Sequence, residues 1–184
     1  MDFNRHLHLE GKHAYLSASK YHWVRYSEEK LIDNFLNIQS VRRGTELHEL
    51  ASDLIRLGVK LPNNKQTLNS YVNDAIGFRM TPEQTLVYSD NAFGTADAIS
   101  FRKNKLRIHD LKTGINKASI EQLEIYSAFF CLEYGFKPFD IEMELRIYQN
   151  DEIIVHDPER DTIFHIMDRI ITFDKLIERI KQES

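Results

Sequence analysis

The sequence predicts an α/β fold with a mixed central β-sheet flanked by helices. Three observations predict it. The chain has 184 residues, 42% of them hydrophobic and 28% charged, which is the composition of one globular domain over residues 1–184. A chain of this size buries roughly 70% of the surface that its unfolded form exposes. Hydrophobic spacing is helical in the first part of the sequence, switches to short strand-like runs after residue 84, and alternates between the two thereafter. Glycine and proline number only 7 and 4, and no repeat, low-complexity tract or linker interrupts the chain.

The elements follow in order. Ser27 is placed to cap a helix over residues 27–36, with Leu31, Phe35 and Leu36 on one face. A second helix is expected over residues 45–57. Leu47, Leu50, Ala51, Leu54 and Ile55 repeat at helical spacing there, and Gly58 stops it. A third is expected around residues 65–78. Residues 85–88, 93–101 and 106–111 read as strands, the last two joined by the polar turn Arg102-Lys103-Asn104-Lys105. Ser119, with Gln122 three residues on, has the pattern of a capping box opening a helix that Gly135 ends. Residues 139–149 and 152–155 are two further strands joined at Asn150-Asp151, and an amphipathic helix covers residues 162–181.

Composition narrows the function. The formal net charge is −4, so the chain as a whole does not read as a nucleic-acid binder. No apolar run approaches the roughly 20 residues needed to cross a bilayer. The opening Met1-Asp2-Phe3-Asn4-Arg5-His6 lacks the apolar stretch of a signal peptide. The single cysteine, Cys131, excludes an internal disulfide, a Cys-rich zinc site and a four-cysteine iron–sulfur cluster. A reducing, cytoplasmic setting is expected.

The chemistry lies in Gly94-Thr95-Ala96-Asp97-Ala98-Ile99 and Ile108-His109-Asp110-Leu111-Lys112-Thr113-Gly114. Residues two apart on a strand share a face, so Asp110 and Lys112 project together and Leu111 and His109 the other way. Asp97 sits beside Asp110 if the hairpin registers them. Hard oxygen donors of this kind suit Mg²⁺ or Mn²⁺, and a nearby lysine suits an anionic substrate. From Asp97 to Lys117 six basic residues, Arg102, Lys103, Lys105, Arg107, Lys112 and Lys117, stand against two acids. Such a patch would attract phosphate.

The ordered set Gly-x-x-Asp, hairpin, Asp-x-Lys-Thr-Gly and Gln-x-x-x-Tyr resembles the PD-(D/E)XK nuclease superfamily, in particular its RecB-like exonuclease branch. Here the elements are Gly94 to Asp97, Asp110 to Gly114, and Gln122 with Tyr126. The branch also carries a metal-binding histidine in a Gly-Thr-x-x-His context, matched by Gly44-Thr45-Glu46-Leu47-His48. The resemblance implies a restriction-endonuclease-like core with nuclease motifs over residues 44–126. It implies Asp97, Asp110 and His48 as metal ligands, joined by the Leu111 backbone carbonyl, and Lys112 as the catalytic lysine. It implies nucleic-acid contacts at Thr113, Gln122 and Tyr126, to which the charge pattern adds Arg102, Lys103, Lys105 and Arg107. Gln122 has an alternative role in the capping box, and Tyr126 an alternative as a core aromatic.

The implied activity is metal-dependent hydrolysis of DNA phosphodiesters, as an exonuclease in recombination, repair or phage DNA processing, within a bacterial or phage-infected cell. The cofactor would be Mg²⁺ or Mn²⁺. The partners would be DNA and, since the chain has no Gly-x-x-x-x-Gly-Lys-Ser/Thr loop of its own, a separate helicase or recombination protein. The competing readings are a non-catalytic module of the same fold that binds DNA or a partner, and a structure-selective endonuclease working as a symmetric dimer.

Overall fold

The structure, a computed structural model, describes residues 7–9 and 12–183, so the opening segment 1–6 lies outside the described residues. The chain divides into two compact units, Met1–Arg43 and Gly44–Ser184, and helix α1 (Glu28–Leu57) contributes to both.

In the first unit, two 3-10 segments, Leu7–Leu9 and Ala18–Arg25, precede the start of α1. The Trp23 indole donates to the Ser17 carbonyl at 2.8 Å, and the Tyr15 ring meets Phe35 edge-on at 5.2 Å. Ser27 caps α1 as its sequence position predicts: its hydroxyl accepts the Lys30 N–H at 3.2 Å.

The two helices expected over residues 27–36 and 45–57 are one helix of 30 residues. The stretch between them contains no proline, and the glycine at 44 costs about 1 kcal/mol without breaking the hydrogen-bond ladder. Gly58 stops the helix in the left-handed conformation, φ +67°, with its own N–H and that of Val59 returned to Ile55 and Leu54.

In the second unit, α2 (Thr67–Gly77) leads into five strands: β1 (Thr81–Ser89), β2 (Ala92–Arg102), β3 (Lys105–Leu111), β4 (Glu142–Gln149) and β5 (Glu152–His156). They lie side by side in sequence order. Every neighbouring pair is antiparallel except β3–β4, which is parallel and joined through α3 (Glu121–Tyr134). Helix α4 (Arg160–Glu183) closes the chain. The sheet is therefore mixed, as the sequence predicts.

Two of the three two-residue turns have positive φ at both central residues, Lys103 and Asn104 in one, Asn150 and Asp151 in the other, the geometry that matches strand twist; the third, Asp90-Asn91 between β1 and β2, does not, and a register shift lies beside it.

Two apolar clusters fix the sheet between helices. Leu106 and Ile108 pack with Leu123, Phe129 and Phe130 of α3 and Ile163 of α4. Leu111 and Tyr148 pack with Ala51 and Ile55 of α1 and Tyr71, Val72 and Ala75 of α2. Cys131 is buried in the first cluster, and burial pushes its thiol up to about 12, so it acts as a small apolar residue. No helix among the described residues is long and apolar enough to cross a membrane.

Candidate metal centre

The β2–β3 ladder ends at the pair Ala98–His109. One residue beyond it the two strands part, and the Asp97 carboxylate takes the place of a ladder carbonyl by accepting the Leu111 N–H at 2.8 Å. This local break puts Asp97 and Asp110 next to one another, as the hairpin register requires.

Strand alternation then decides direction. Asp110 follows Ile108 on the α3 side, and Lys112 follows Asp110 with its Nζ 3.0 Å from Asp110 Oδ2. Asp110 is 2% exposed, and its Oδ2 makes no hydrogen bond of good geometry despite that ion pair. Burial and the neighbouring Asp97 charge raise the Asp110 carboxyl above its ordinary range, with Lys112 opposing.

Helix α1 delivers His48, whose Nδ1 lies 3.4 Å from Asp97 Oδ2. The hydrogen bond to Asp97 raises the imidazole above its usual value against the opposing effect of burial. Gly44, one turn earlier on the helix, brings that face close to the loop after β3: a Cβ there would stand 2.7 Å from Thr113 Oγ1. Gly94 plays a similar part under Tyr126, where a Cβ would stand 2.8 Å from Cε1 of the ring. Each glycine makes room for a side chain from a different motif.

The α3 residues complete the arrangement. The Lys112 ammonium donates to Gln122 Oε1 at 2.8 Å, and Gln122 Nε2 donates to the Tyr126 hydroxyl at 3.0 Å. The capping-box reading of Gln122 is therefore overturned. Ser119 instead accepts the Glu121 N–H at 3.2 Å, and Gln122 turns toward Lys112. Tyr126 is half-buried against the α3-side core while its hydroxyl reaches Gln122, so it serves both as packing and as support. The buried Gln149 holds the loop between Lys112 and α3. It donates to the carbonyls of Gly114 and Asn116 at 2.5 and 2.7 Å and accepts the Ala118 N–H at 3.1 Å. Lys112 and Thr113 also border an open cleft of about 230 Å³ with Leu47, Thr67 and Asn150.

The basic hairpin does not join this site. Asp110 lies five residues beyond Lys105 on β3, about 16 Å along the strand, and Arg102 and Lys103 sit farther still at the turn. Lys105 and Arg107 both pair with Glu144 on β4, at 3.4 and 3.1 Å, and the Arg107 guanidinium lies 4.4 Å from the Phe78 ring centroid. Linear charge counting groups residues that alternation and strand length keep apart.

Sequence reasoning missed Glu83. Its carboxylate, the imidazole of His48 and the carboxylate of Asp97 offer three ligand atoms within 4.8 Å of one another. The Glu83 carboxyl is raised by desolvation of its head group and then by Asp97, although the side chain as a whole is exposed. Only its place opposite Asp97 in β1 identifies it, and that place requires the strand register.

The donor set fits a divalent cation. Two carboxylates, Glu83 and Asp97, and the His48 imidazole converge, the Glu83 and Asp110 carboxyls are raised, and Asp110 is paired with Lys112 at 3.0 Å. Oxygen donors with one imidazole accept Mn²⁺ among other divalent cations. No protein-family model matches this chain, and no curated protein or solved structure matches it.

Proposed function

We propose that the chain is a metal-dependent DNA nuclease of the PD-(D/E)XK, RecB-like type, working as an exonuclease. The observation that carries this reading is the convergence of His48, Asp97, Asp110 and Lys112 from α1, β2 and the end of β3 on one buried break in the sheet. These residues lie up to 64 positions apart in the chain, and the motif order anticipates their meeting.

Asp97, Asp110 and His48 would hold the ion, with the Leu111 carbonyl adjacent to them. A bound divalent ion supplies charge neutralisation at a phosphoryl group and a more acidic water. Lys112 carries its positive charge at the rim of the same site, where it would hold a non-bridging phosphate oxygen and stabilise negative charge as it develops. Gln122 fixes the ammonium from the other side, and Tyr126 fixes Gln122. Thr113 lines the approach beside them. The net effect is a preorganised cation beside two closely spaced carboxylates, which is the arrangement that phosphodiester hydrolysis needs.

The test is a cleavage assay on linear single-stranded, linear double-stranded and closed circular DNA with Mg²⁺, Mn²⁺ or EDTA. Loss of linear DNA with circles spared, abolished by EDTA and reduced at least about 100-fold by Lys112→Ala, is the expected result. Cut circles would replace the exonuclease reading with an endonuclease. Equal activity of wild type and Lys112→Ala would remove the site from the chemistry altogether.

A further inference from the structure

We propose that Glu83 is a further side-chain ligand of the metal centre, presented by a left-handed residue built into β1; this rests on the metal-dependent reading above.

The strand itself makes the argument. Pro82 pairs with Ala98 and Gln84 with Ala96, but no pair forms between Glu83 and Asp97, which stand opposite each other. Glu83 has φ +50°, a conformation that a side chain bearing a Cβ rarely adopts and that serves no turn here, since β1 continues to Ser89. The consequence is directional. Regular pleating gives each position a fixed face, whereas the left-handed residue re-aims its side chain toward Asp97 and His48.

The Glu83 carboxylate stands within 4.8 Å of the ligand atoms of both His48 and Asp97. From α1 the His48 imidazole and then Arg56 reach it with positive charge, and Arg56 is itself paired with Asp53 at 3.8 Å. Asp110, 2% exposed and next to Asp97, is held from the other side by the Lys112 ammonium at 3.0 Å. A cluster of two strand acids, a third from β1 and a helix imidazole has the mixed oxygen and nitrogen character that Mn²⁺ accepts.

The experiment measures Mn²⁺ binding by calorimetry, without nucleic acid, on the full chain. The variants are Glu83→Gln, Asp110→Asn, His48→Ala and the Glu83→Gln/His48→Ala double. Melting in EDTA serves as the folding control. Glu83→Gln is expected to melt with the wild type in EDTA and to bind Mn²⁺ about tenfold or more weakly, with the same factor in the His48→Ala background. Unchanged binding in Glu83→Gln, with binding lost in Asp110→Asn, would overturn the Glu83 assignment and leave the metal centre standing. A loss that disappears in the His48→Ala background would make Glu83 a residue acting through the imidazole, and would also overturn it. A wild type that binds no Mn²⁺ would overturn both the assignment and the metal-dependent reading.

Discussion

His109 and Asp110 are neighbours in sequence with opposite fates, because adjacent residues on a strand face opposite sides. Asp110 faces Lys112, its Oδ2 3.0 Å from the ammonium. His109 is fully buried on the other face, against Tyr148 at 3.2 Å from its Nδ1 and Phe78 at 5.7 Å between ring centroids. The Tyr148 hydroxyl donates onward to Asp74 at 2.7 Å, so it accepts from a protonated Nδ1, and Nε2 is left without a partner. Burial, with Arg146 and Arg107 nearby and Glu144 opposing, lowers the imidazole to about 3. The folded chain thus refuses a proton that the unfolded chain takes up below about pH 6.5. This group costs nothing above that pH, and stability falls as pH drops from about 6.5 toward 3. Denaturant midpoints at pH 7 and pH 5 are expected to show the wild type losing about 2 kcal/mol more than His109→Gln over that interval.

The elements show where local signals suffice and where they do not. Ser27, Gly58 and Gly135 act at the helix ends that their residue types announce. Lys103-Asn104 and Asn150-Asp151 act at the hairpin turns in the same way. Each such signal spans a few residues and depends on backbone preference alone. Gly44 sits inside α1, between the two helices expected over residues 27–36 and 45–57. Its reason lies 69 residues away, in the Thr113 hydroxyl that a Cβ would meet at 2.7 Å. Gly44→Ala is therefore expected to separate two properties that usually move together. Alanine favours the helix by about 1 kcal/mol, so thermal stability should hold near wild type. The new methyl displaces the Thr113 hydroxyl, which borders the cleft beside Lys112, so the cleavage rate is expected to fall while the melt does not. Melting curves and cleavage rates on the same preparation check both halves.

At the scale of the molecule, the net charge is −4, and on the proposed reading a divalent ion held by His48, Glu83 and Asp97 would stabilise the fold as well as serve the chemistry. A ligand at about 100 times its Kd stabilises the folded state by about 2.7 kcal/mol. Mn²⁺ should raise the melting temperature of the wild type and leave Asp110→Asn unmoved, as thermal shift in matched EDTA and Mn²⁺ buffers would show. The same architecture explains why the basic hairpin is not part of the site. The β2–β3 hairpin carries Arg102 and Lys103 at its turn and Asp97 and Asp110 at its open end.

The sequence by itself determined the mixed sheet and the order of its strands, through periodicity and turn chemistry carried by residues near one another in the chain. The motif resemblance singled out His48, Asp97, Asp110, Lys112, Gln122 and Tyr126, which the structure brings together in pairs. Only the tertiary structure decided that α1 runs unbroken through Gly44, and that Gln122 supports Lys112 rather than capping its helix. It also decided that Lys105 and Arg107 belong to Glu144, and that Glu83 faces Asp97. Each of those outcomes depends on a partner on another element. Register, strand length and close approach set such partnerships, and they exist only once the sheet has formed.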